Sequence, residues 1–152
     1  MERIIPPETY RYIEGKLHNR KQIQFEIEEW ELSVRHPENK QAIQGVGYIS
    51  DPTANQAIRL ANKPDYIKRL EKWLDLINKT ERFCRQRGNR IFDVWYGKEQ
   101  QTVTRAYTRN GIRKNTFQNN RDKAVQFLLF RAIDAGLCSF NVNKNKERED
   151  KF

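Results

Sequence analysis

The run Arg113-Lys114-Asn115-Thr116-Phe117-Gln118-Asn119 gathers guanidinium, ammonium and carboxamide groups into about two helical turns. Planar Arg and Asn/Gln groups are the side chains able to make paired hydrogen bonds with base edges in a DNA major groove. Arg113, Lys114, Asn115, Gln118 and Asn119 are therefore the candidates for base contact. Around them, Arg105, Arg109, Thr116, Arg121 and Lys123 supply the cations and hydroxyl that phosphate oxygens accept from. Contacts of that second kind fix register along a duplex and carry no sequence information themselves.

Chemistry of this sort requires two short helices joined tightly, so that the second can enter a groove while the first crosses the backbone. The stretch from Thr102 to Phe130 has that outline. Thr102 is placed to cap a helix over Val103–Arg109, and Asn110-Gly111 supplies the positive φ of a helix stop. A second helix restarts a few residues later, where Asn115 and Gln118 have the spacing of a capping box. Ile112, Phe117, Ala124, Val125, Phe127 and Leu128 would hold it against a core, and the helix runs through Phe130 and Ile133 to a stop at Gly136.

The charge distribution supports the same region. The chain of 152 residues carries a formal charge of +9, yet residues 1–81 hold 13 Lys/Arg and 13 Asp/Glu. Residues 82–123 hold 11 Lys/Arg against 3 Asp/Glu, so nearly all the excess surrounds the two-helix unit. A local surplus of this kind is the electrostatic footprint of a nucleic-acid surface. With 37% hydrophobic and 32% charged residues the composition fits a helical protein with long exposed faces. No apolar run is long enough to span a bilayer and Met1–Tyr10 lacks a signal-peptide core, so a cytoplasmic, non-membrane protein is expected. Cys84 and Cys138 have no CxxC spacing and are expected as reduced thiols.

The elements that must carry this unit are also helical. Pro6-Pro7-Glu8 starts a helix that nothing but Gly15 opposes until His36-Pro37, with an apolar stripe of Tyr10, Ile13, Leu17, Ile23, Ile27, Trp30 and Val34 that is irregular near Arg20. Pro37–Ser50 reads as a mobile loop. Asp51 caps a helix over Pro52–Asn62, and Lys63-Pro64-Asp65 opens a long one ending at Arg87-Gly88, striped by Ile67, Leu70, Leu74, Ile77 and Cys84 with Trp73 as packing. The first helix is its expected mate, within one chain or across a homodimer. Asn89 caps Arg90–Tyr96, whose aromatic cluster is expected to pack beneath the two-helix unit rather than to stack on bases. Beyond Phe140 the polar tail is expected to be disordered.

Ile49-Ser50-Asp51-Pro52-Thr53-Ala54, with Ala57-Ile58 and Arg69-Leu70-Glu71-Lys72-Trp73, resembles the linker and central helix of the RinA-type phage transcriptional activators. Gly111 to Phe117, followed by Arg121, is similar to that family's turn and recognition helix. The chain departs from the family at Arg113, where Ser or Thr is usual, at Asn120, where a bulky apolar residue is usual, and at Tyr107, where Ala is usual. The resemblance implies an all-α chain. Together with the stripes and the polar tail, a long N-terminal helical arm (1–47) and coiled-coil-like helix pair, with the junction and central helix at 48–88, would precede a sigma-factor-like helix-turn-helix domain (89–138) and a tail (139–152), and of these the resemblance covers roughly residues 48–130. It further implies activation of phage or prophage late genes with host RNA polymerase as partner and double-stranded DNA as ligand.

A packaging component such as a small terminase subunit combines the same ingredients and is the alternative. An enzyme is not expected. The basic region offers only Asp93, Glu99 and Asp122 as acids, no His follows His36, and neither a nucleophile–base set nor a cofactor or metal motif is present.

Overall fold

The apolar stripe of the N-terminal third changes step between Leu17 and Ile23. On a straight helix those two residues would point roughly 120° apart, so one narrow stripe could not hold both. The computed structural model, which describes residues 5–35, 52–97 and 101–139, breaks the chain there. Helix α1 (Pro7–His18) ends at Asn19 and α2 (Arg20–Arg35) begins anew, in place of the single expected helix. With the break, α1 packs against α6, where Tyr10 Oη meets Asp122, and α2 packs along α4, while Tyr10, Ile13, Leu17, Ile23 and Ile27 all enter the buried cluster.

The remaining elements are α3 (Pro52–Ala61), α4 (Asp65–Gln86), a π-helical turn (Phe92–Tyr96), α5 (Val103–Arg109) and α6 (Lys114–Asp134). Among the described residues every regular element is helical, and no helix is long and apolar enough to cross a membrane. The expected loop at Pro37–Ser50, the Asp51 cap and the tail beyond Ser139 lie outside the described residues.

Helices α4 and α6 form the most extensive contact, and α2 lies along α4 within the same chain, one of the two pairings the stripes allow. Trp73 on α4 is fully buried, with Tyr12 of α1 meeting its ring edge-on at 6.1 Å. One hydrophobic cluster runs from Ile5 through Ile77, Phe92 and Phe117 to Leu137. The cluster joins side chains of α1, α2, α4 and α6, and the N-terminal helices pack onto α4 and α6 because their stripes are too apolar to stay in water.

The two thiols are free, Cys84 buried and Cys138 half-buried, and burial pushes the Cys84 thiol up to about 11. Cys84 therefore acts as a small apolar group.

Two glycines respond to substitution in opposite directions. A Cβ on Gly97 would sit 2.7 Å from the carbonyl oxygen of Phe92, backbone that cannot move without unwinding the π-helical turn. A Cβ on Gly15, inside α1, would meet nothing within 4 Å. Gly97→Ala is expected to cost about 2 kcal/mol, and Gly15→Ala to stabilise by about 1 kcal/mol. Urea unfolding of both variants checks the pair of signs.

Candidate nucleic-acid interface

The turn between α5 and α6 is built by backbone hydrogen bonds that only a left-handed residue permits. Gly111 has φ +65°; its N–H donates to Thr108 O at 3.3 Å and the Ile112 N–H to Tyr107 O at 2.9 Å, the paired bonds of a Schellman stop. Gly88 after α4 and Gly136 after α6 end their helices with the same bond pattern. At the other end of α5, Thr102 Oγ1 accepts from the Arg105 N–H at 3.2 Å, the cap expected from sequence. Helix α6 starts at Lys114 with Arg113 as its cap residue and no side chain closing its first turn. The expected Asn115–Gln118 capping box does not form, because Asn115 is already inside the helix and Gln118 Nε2 donates to Asp122 Oδ1 at 2.8 Å.

Burial divides α6 lengthwise. Phe117, Ala124, Val125, Leu128 and Ala132 are buried, whereas Asn115, Asn119 and Lys123, spaced four apart, are exposed on the opposite side. Arg113, Lys114 and Thr116 are exposed at the helix start, and Arg105 and Arg109 are exposed together on α5. None of the five cations Arg105, Arg109, Arg113, Lys114 and Lys123 is in an ion pair among the described residues. Asp122, the lone carboxylate of described residues 101–123, is turned inward and accepts from Tyr10 Oη at 2.7 Å. Asp93 below the unit is neutralised by Arg85 at 2.8 Å. The outcome is a surface of unopposed positive charge and free amides, at the uncapped and positive end of a helix dipole.

The aromatic cluster supports this surface from beneath, as expected. Trp95 meets Phe117 edge-on at 5.8 Å, and Tyr107 lies 5.9 Å from the same ring. Buried Asn89 joins the layers: its Oδ1 accepts from the Ile91 N–H at 3.0 Å and its Nδ2 donates to Asn120 O at 3.0 Å.

Arg121 corrects the sequence expectation. In place of an outward phosphate contact, its guanidinium points into the protein, where Nε donates to Glu14 Oε2 at 2.6 Å and Nη2 to Glu14 Oε1. The reason is its register: on α6 it falls between Phe117 and Val125, at the centre of the buried face. Tyr96 Oη donates to the same Glu14 carboxylate at 2.8 Å. Burial pushes the Glu14 carboxyl up, but the Arg121 hydrogen bonds and charge, with the Tyr96 hydroxyl, outweigh it and hold the group below its ordinary 4.5. Burial likewise raises the Tyr96 and Tyr10 hydroxyls, keeping both protonated as donors. Burial lowers His18, which sits edge-on to Trp95 at 5.1 Å and Tyr96 at 4.9 Å.

Comparison of the chain with protein-family models, curated proteins and solved structures found no match.

The positioning residues Tyr10, Glu14, Asn89 and Tyr96 were not singled out as a polar group by sequence reasoning. One signal was present: Glu14 lies between Ile13 and Leu17 on a stripe that is otherwise apolar, where an unpaired acid would be costly.

Glu14→Gln would leave the Arg121 guanidinium half-buried without its counter-charge, at a cost of about 3 kcal/mol at pH 7. Because the folded-state pKa of Glu14 is depressed, its contribution is present above 4.5 and is lost as pH falls below that value through the folded pKa. Urea unfolding at pH 7 and pH 3 is expected to show the gap between wild type and variant shrinking in acid.

Proposed function

We propose that this chain binds double-stranded DNA in a sequence-specific manner, with α6 as the reading helix and α5 crossing the backbone. The observation that carries the proposal is the face shared by α5 and the first half of α6. It exposes five cations with no ion-pair partner among the described residues and the carboxamides of Asn115 and Asn119, with no exposed carboxylate among residues 101–123. In this arrangement Arg113, Lys114, Asn115 and Asn119 meet base edges, while Arg105, Arg109, Thr116 and Lys123 meet phosphates. Gln118, engaged with Asp122, is left to a supporting place at the groove wall.

The resemblance to RinA-type activators extends the proposal to transcription. The bound protein would stand near a promoter of phage or prophage late genes and contact host RNA polymerase. A packaging role is the second reading, and the observation favouring it is the exposed pair Phe25 and Leu32 on the solvent side of α2, a face suited to assembly. Light scattering separates them: eight or more copies favours packaging, a monomer or dimer favours transcription.

Asn119→Ala is expected to weaken binding to a selected duplex by about 2 kcal/mol, leaving a scrambled duplex and the salt dependence unchanged. Arg109→Ala is expected to weaken both duplexes alike and to reduce the salt slope by about 0.9. Anisotropy titrations at two salt concentrations check this; equal losses on both duplexes for Asn119→Ala would remove its base-reading role.

A further inference from the structure

The seam between α4 and α6 carries a column of four planar groups. The rings of Phe83 and Phe127 stack at 4.2 Å with an interplanar angle of 23°. The Arg87 guanidinium lies 3.8 Å over the Phe83 ring, and that of Arg131 lies 5.1 Å over the Phe127 ring. The two helices run antiparallel: Asn89, just past α4, reaches Asn120 near the start of α6, and Arg69, near the start of α4, donates to Leu137 O just past α6. Each arginine is one turn beyond its own phenylalanine, so the two cations flank the stacked rings at opposite ends.

A guanidinium held face-on by an aromatic ring keeps its N–H edge free for in-plane hydrogen bonds, and the stack removes part of the rotamer freedom that such a bond would otherwise cost. Both arginines are exposed, neither is in an ion pair among the described residues, and Arg87 there has only a long 3.5 Å bond to Phe83 O. The carboxylates of α4 nearest Arg87 are occupied: Glu71 pairs with Lys63, Asp75 with Lys79, and Glu81 with Arg20 and Arg85. On these two helices Asp65 and Asp134 stay outside such pairs and hydrogen bonds among the described residues; both lie at the end of the seam remote from Arg87, Asp134 about one turn beyond Arg131. Lys123, exposed one turn before Phe127, joins the column to the outer face of α6.

From this geometry we propose that Arg87 and Arg131 form a clamp for the phosphodiester backbone of the duplex, extending the contact beyond the reading face. The ligand is phosphate and not a base, because the ring faces are covered by each other and by the guanidinium groups, leaving none for a nucleobase to stack on. This inference rests on the proposed binding of double-stranded DNA and adds contact residues outside α5 and the first half of α6.

The test compares wild type, Arg87→Gln/Arg131→Gln and a control, Arg11→Gln/Lys21→Gln, which removes two exposed cations of α1 and α2. Each is titrated with selected and scrambled duplexes over a salt series, after circular dichroism and melting confirm a folded chain. The clamp variant is expected to lose affinity equally on both duplexes, with a salt slope smaller by about 1.8, while the control keeps the wild-type slope. Arg131→Gln alone is expected to reduce the slope by about 0.9. A wild-type slope in the clamp variant, or an equal reduction in the control, overturns the clamp and leaves the reading helix standing. Wild-type protein that ignores duplex DNA at the lowest salt overturns both.

Discussion

Glu14 and Arg121 are 107 positions apart in sequence and meet in the interior, with the Tyr96 hydroxyl on the same carboxylate. Their net contribution to stability is small, because two charges must leave water to form the pair. Their effect on register is large. Residues two positions either side of Arg121 lie roughly 200° around a helix axis, so turning Arg121 inward obliges Asn119 and Lys123 to point outward. The buried pair thus fixes which side of α6 is offered to a ligand. Tyr10 and Asp122 repeat the arrangement one residue further along, tying the same face of α6 to α1.

The two halves of the chain use charge differently. Glu71, Asp75 and Glu81 of α4 are spent locally, on Lys63, Lys79, Arg20 and Arg85, and Glu14 of α1 inside the protein on Arg121. Cations between Arg105 and Lys123, apart from Arg121, find no such partners among the described residues. Electrostatic repulsion among them is tolerated because each is exposed and screened, and the same exposure makes them available to a polyanion. The hydrophobic core, shared by the N-terminal helices and α6, supplies the rigidity on which such a surface depends.

Local features were legible in the sequence because local rules govern them. Gly111, Gly88 and Gly136 stop their helices where glycine after a periodic run predicts a stop, Thr102 caps as a threonine should, and Asn89 closes the turn after it. The stripes of α2 and α4 identified each other as mates. Features that depend on tertiary register were not legible. The break at Asn19 follows from what α6 and α4 demand of two stripes, and no residue at that position forbids a helix. Arg121 and Lys123 are neighbouring cations of one helix, and only the rotation of α6 about its axis separates an internal counter-ion from a surface cation. Asn115 was misread as a cap for a similar reason: Arg113 takes that position in the backbone although its side chain closes no bond.

The central claim is that the outward side of α6, from Arg113 to Lys123, is where a duplex sits. Backbone amide shifts in a heteronuclear NMR titration with a selected duplex report that contact residue by residue. The largest changes are predicted at Arg113–Thr116 and Asn119, followed by Arg105 and Arg109, with α2 and α3 unmoved. Changes concentrated on α2 and α3, or no change on adding duplex in dilute buffer, would contradict it.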